Sequence, residues 1–65
     1  MDREELHNKL RELQQEHRDL DDAIGALTEQ AIYDQLKLQR LKKRKLLLRD
    51  MITRLENMLE PDIIA

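Results

Sequence analysis

The sequence predicts an all-α protein: an antiparallel two-helix coiled-coil hairpin that pairs with a second copy into a four-helix bundle. Three observations lead there. Apolar residues recur at alternating spacings of three and four in both halves of the chain, the signature of a helix with one apolar seam. The halves carry opposite charge: residues 1–34 hold four Lys/Arg and ten Asp/Glu, and residues 35–65 hold eight and four, so −6 faces +4. Gly and Pro occur once each, at Gly25 and Pro61, while Leu, Glu, Lys, Arg, Gln and Asp dominate, the profile of long helices.

Residues 1–65 are read as a single hairpin. Helix 1 is expected over about 3–28. Asp2 is a good N-cap, and Glu5, three residues on, is the return half of a capping box. Leu6, Leu10, Leu13, His17, Leu20, Ile24 and Leu27 then form an a/d stripe with His17 as its one polar member. Helix 2 is expected over about 35–60, with the same grammar at Leu38, Leu41, Lys45, Leu48, Ile52, Leu55 and Leu59. Pro61 cannot continue a helix, so helix 2 ends near Glu60. A short apolar tail, 61–65, follows.

The connection decides between two architectures. The heptad phase runs unbroken through residues 28–34, so one continuous rod zipped to another chain is formally allowed. Against it, Asp34 would put a carboxylate in the seam, and Thr28, Ile32 and Tyr33 are modest helix formers. Asp34 is also a natural N-cap for a second helix. A turn at about 29–34 is therefore favoured. Pairing positions that sum to 65 then closes seven layers, from Leu27 with Leu38 to Leu6 with Leu59. Lys45 falls opposite Leu20, near Asp19, Asp21 and Asp22.

A chain of 65 residues is marginal alone without disulfides, metal or a partner. It has no Cys, so neither disulfides nor thiolate chemistry are open to it. Leu47, Met51 and Met58 lie beside the helix 2 seam, with Leu46 further round. One helix does not cover them, and such a face marks an interface, here between two hairpins. The acidic start of the chain is not followed by an apolar run, so no signal peptide is expected. The longest apolar run, Leu46-Leu47-Leu48, is too short to span a bilayer. A soluble, cytoplasmic protein without membrane contact is the expectation.

The basic patch is Lys37, Arg40, Lys42, Lys43, Arg44, Lys45 and Arg49. Nucleic acid phosphates would suit it, but no aromatic interleaves for base stacking and acids stand opposite, so a role within or between subunits is favoured over nucleic acid. His17 has no second His within helical reach and is read as a polar seam residue fixing register, with Asp21 at i+4 as hydrogen-bond partner; a pH-sensitive seam is the lesser alternative. Lys45 in the seam is expected to snorkel to water and to restrict register or oligomer state. With no Cys, no Ser, no Gly-rich loop and no HExxH or GKS/T pattern, no catalytic, metal or cofactor site is expected.

The run Asp34-Gln35-Leu36, then Gln39-Arg40-Leu41-Lys42-Lys43-Arg44-Lys45-Leu46, then Leu48-Arg49-Asp50 resembles the hallmark of the YdcH-like proteins, small bacterial proteins built around a domain of unknown function. Upstream, Glu16-His17-Arg18-Asp19-Leu20-Asp21 resembles that family's first-helix pattern, and Pro61-Asp62-Ile63-Ile64-Ala65 resembles the tail of some members. SlyX-like proteins are a weaker likeness. The resemblance implies a helical hairpin and coiled-coil dimers, and implies no activity. The functional expectation is a non-enzymatic interaction module, homodimeric through its Leu/Met faces, with an unidentified protein partner; the alternative is a nucleic-acid-associated accessory protein using residues 37–49.

Overall fold

A computed structural model describes residues 2–59. The described residues form two helices, α1 (Arg3–Thr28) and α2 (Gln35–Leu59). The end of helix 2 expected near Glu60 and the tail 61–65 lie outside the described residues.

Each helix begins on an aspartate. The Asp2 carboxylate accepts a 2.8 Å hydrogen bond from the Glu5 amide, which satisfies one of the free donors of the first turn. The reciprocal bond expected from the Glu5 side chain does not form among the described residues, so only half of a capping box is present. The Asp34 carboxylate accepts from the amides of Leu36 and Lys37, at 2.9 and 3.2 Å. This cap is why α2 starts afresh instead of continuing α1. At the end of α1, the Glu29 amide still donates to the Gly25 carbonyl and the Gln30 amide donates to the tighter Leu27 carbonyl, both at 3.2 Å. Residues 29–34 then reverse the chain with no positive φ.

The helices run antiparallel against each other. Three cross-hairpin contacts fix their register: Arg3 Nη2 donates to the Leu59 carbonyl at 3.0 Å, Arg44 meets Glu16 at 3.0 Å, and Lys45 meets Asp21. The longest dimension is 45 Å. A single helix from Leu6 to Leu59 would measure about 80 Å, so the rod is excluded and the hairpin stands.

The core is one seam between the helices. Leu6, Leu13, Leu27, Leu38, Leu48 and Leu59 are buried, and Leu48 is fully so. Leu10, Leu20, Ile24, Leu41, Ile52 and Leu55 are half-buried, as are His17 and Lys45. Tyr33 in the turn is half-buried as well. The pattern follows from helical periodicity, which brings residues three and four apart onto one face. Two helices enclose only the centre of such a seam; its edges keep partial contact with water.

A candidate interaction surface on the second helix

Two polar residues interrupt the seam, and both lean on one carboxylate. Lys45 Nζ approaches Asp21 Oδ1 to 2.5 Å, and His17 Nδ1 lies 3.8 Å from Asp21 Oδ2. Lys45 thus leaves the seam as expected, and its amine ends on Asp21, a carboxylate that is itself exposed to water. The His17 contact is too long for the hydrogen bond expected from i+4 spacing. The hydrogen bond from Lys45 lowers the pKa of Asp21; desolvation works against it, and the charges of Lys45 and His17 work with it. Lys45 is half-buried at a seam position, so an aliphatic contact is replaced here by a directed polar one to Asp21, which favours one register over its neighbours.

The basic patch divides. Arg44 pairs with Glu16 and Lys45 with Asp21. Among the described residues, Lys37, Arg40, Lys42, Lys43 and Arg49 form no ion pair within 4.0 Å. Asp19, placed by the sequence near these cations, accepts instead from Gln15 at 2.9 Å. These contacts lie at the surface, where water screens them and adds little net stability; their consequence is orientation.

Apolar side chains are unequally distributed. Among the described residues, the exposed large ones are Ile32, Leu36, Leu46, Leu47, Met51 and Met58. Five lie on α2 and one in the turn; α1 has none. Leu47, Met51 and Met58 share a line along α2, separated by spacings of four and seven. Arg40, Arg44 and Arg54 interleave with them, and Leu36 extends the line toward the turn. Leu36 joins the expected Leu47, Met51 and Met58 in the structure, and its spacing from Arg40 and Leu47 carries the signal in the sequence. Ile32, the most exposed at 90%, has no periodic signal because it sits outside both helices. On the same flank, α1 presents Glu5, Glu12, Glu16 and Asp19, as the Glu16–Arg44 pair requires.

Among the described residues no group of three His, Cys, Asp or Glu converges to hold a metal. No described helix is long and apolar enough to cross a membrane. What the surface provides is a ridge of Leu and Met with guanidinium groups between them, running the length of α2.

Comparison with known proteins agrees with the fold and adds no chemistry. No curated protein and no solved structure matches the chain. A family model described as a protein of unknown function, DUF465, matches residues 10–56, the span holding the first-helix pattern and the Leu-Lys-Lys-Arg-Lys-Leu run. With the matched region covering most of both helices, the chain belongs to the DUF465 family, to which the YdcH-like proteins also belong.

Proposed function

We propose that this protein is a non-enzymatic coiled-coil module that self-associates through the outer line of α2, two hairpins forming a four-helix bundle. The observation that carries the reading is the exposure of Leu47, Met51 and Met58, at 49%, 42% and 61%, on a helix whose inner face is already covered. The partner it fits is a second copy of this chain. The α2 line alternates apolar groups with Arg40, Arg44 and Arg54, whereas the same flank of α1 carries Glu5, Glu12, Glu16 and Asp19. A two-fold axis along the bundle lays α2 of one copy on α1 of the other at equal height. Arg54 then comes level with Glu12 of the second copy and Arg44 near its Asp19. Leu47 and Met51 cover the aliphatic stems of the glutamates between them. Packing α2 on α2 about Leu47 instead sets Arg40 against Arg54, a like-charge contact. Complementary charge selects the first arrangement and steers its encounter.

Sedimentation equilibrium over a wide concentration range tests this. A dimer mass for the wild type, reduced to monomer by Met51→Glu or Leu47→Glu, is the expected result. A monomer at every concentration, with helicity intact, contradicts it.

One observation favours a second reading. The five patch cations without an ion pair, four of them in residues 37–43, leave positive charge for nucleic acid phosphates even though the protein is −2 overall. Phosphate contacts release counterions, so binding would fall steeply with salt. Under this reading Lys42→Glu with Lys43→Glu abolishes DNA or RNA binding; binding indifferent to both salt and substitution removes it.

A further inference from the structure

We propose that the flank of the hairpin opposite the Leu47 and Met51 line carries a site for a small phosphate dianion, gripped between Arg18 of α1 and Arg49 of α2. This goes beyond self-association and uses none of its residues. An open groove of about 540 Å³ runs along that flank, walled by both helices. Gln14, His17, Arg18 and Asp21 line it from α1; Arg49, Ile52, Thr53 and Glu56 line it from α2.

The groove holds two arginines and two carboxylates. Asp21 is already engaged by Lys45. Neither Arg18 nor Arg49 forms an ion pair within 4.0 Å among the described residues. Glu56 is the remaining carboxylate, and it lies at the far end. In the hairpin register, where facing positions sum to about 65, Arg49 is level with the turn of α1 that holds His17 and Arg18. Glu56 is level with residue 9, about 10 Å further along. Two arginines from different helices therefore line one groove, and among the described residues neither is paired with a protein carboxylate within 4.0 Å. Like charges so placed repel, and an oxyanion between them converts that repulsion into two forked hydrogen-bonded contacts.

A phosphate dianion matches this arrangement better than a carboxylate does. Its tetrahedral oxygens face both forks at once, and its two charges answer two arginines. The Gln14 amide supplies a further donor on the same wall. Thr53 does not, because its hydroxyl donates to the Arg49 carbonyl at 3.0 Å. The half-buried His17 ring and the Ile52 side chain form the floor. By contrast, Lys37, Arg40 and Lys43 are exposed on α2 and do not line the groove.

Titration of the whole chain with inorganic phosphate, and separately with glucose 6-phosphate, at constant ionic strength set by sodium chloride, tests the site by backbone and arginine side-chain NMR. Saturable shifts centred on Gln14, Arg18 and Arg49 are expected with at least one probe. Saturation by glucose 6-phosphate alone assigns the site to phosphomonoesters; saturation by both assigns it to the phosphate group itself. Arg18→Gln and Arg49→Gln, each with helicity checked by circular dichroism, weaken binding about tenfold, the scale of one charged hydrogen bond. Lys43→Gln leaves binding unchanged. Shifts that never saturate, that follow residues 37–45, or that survive both arginine substitutions overturn the proposal.

Discussion

α1 and α2 are nearly equal in length, 26 and 25 residues, yet they meet water differently. Every large apolar side chain of α1 lies in the seam, buried or half-buried. α2 fills the same seam and then carries Leu36, Leu46, Leu47, Met51 and Met58 outside it. One apolar face can be covered by one partner helix. Two faces call for two partners, and the hairpin supplies only one of them. The difference separates what folds the hairpin from what the hairpin does next: α1 is a folding element, whereas α2 both folds and presents.

The largest test of this contrast sets adjacent residues of α2 against each other. Leu48 is 0% exposed and Leu47 is 49% exposed. Leu48→Ala removes a fully enclosed side chain and should lower stability by about 2–5 kcal/mol in chemical denaturation. Leu47→Ala, measured in dilute solution where association is absent, should cost less than about 1 kcal/mol. Equal losses would erase the distinction between inner and outer faces.

Lys45→Leu asks how much stability the seam gives up at its polar layer. Lys45 is half-buried among apolar neighbours and tied to Asp21. Leucine there extends the apolar seam and should raise stability by about 1 kcal/mol. The gain should come with more than one oligomeric species, because the polar contact that selects a register is gone. A single species would mean that the remaining contacts already suffice.

Gly25→Ala probes α1 alone. The residue is exposed within the helix, and a Cβ built there meets nothing within 4 Å. Relief of the helical cost of glycine should raise stability by about 0.5–1 kcal/mol and leave association unchanged, since Gly25 faces away from the Glu16 flank of α1 that meets the second copy.

The smallest effect is electrostatic. Lys45 lowers the pKa of Asp21 in the folded protein, so the ionised form is favoured by folding. That contribution is fully present above the ordinary carboxylate range and is lost as pH falls through the lowered folded value. Asp21→Asn should flatten the acid limb of the stability profile without altering it near neutrality in slope. An unchanged acid limb would show that the contact does not persist in solution.

Much of this architecture was legible in the sequence because a helix translates spacing directly into facing. The positions spaced from Leu6 to Leu59 by threes and fours are the ones the hairpin buries or half-buries, and Asp34 announced the second helix start through its capping chemistry. Other features depend on three-dimensional placement. The capture of Lys45 by Asp21 needed a side-chain direction, not a register. The groove between Arg18 and Arg49 joins residues 31 positions apart that belong to no shared motif. Ile32 and Tyr33, adjacent in the turn, take opposite fates, which no periodicity could announce.

The central claim is that the outer line of α2 is covered in solution by the acidic flank of α1 from a second copy. Its most direct test is the solvent accessibility of the Met51 and Met58 methyl groups, read by NMR with a soluble paramagnetic agent over a dilution series. These methyls should be shielded at high concentration and become exposed on dilution, while the Leu48 methyls remain shielded throughout. Methionine methyls exposed at every concentration, with Leu48 still shielded, would contradict the account.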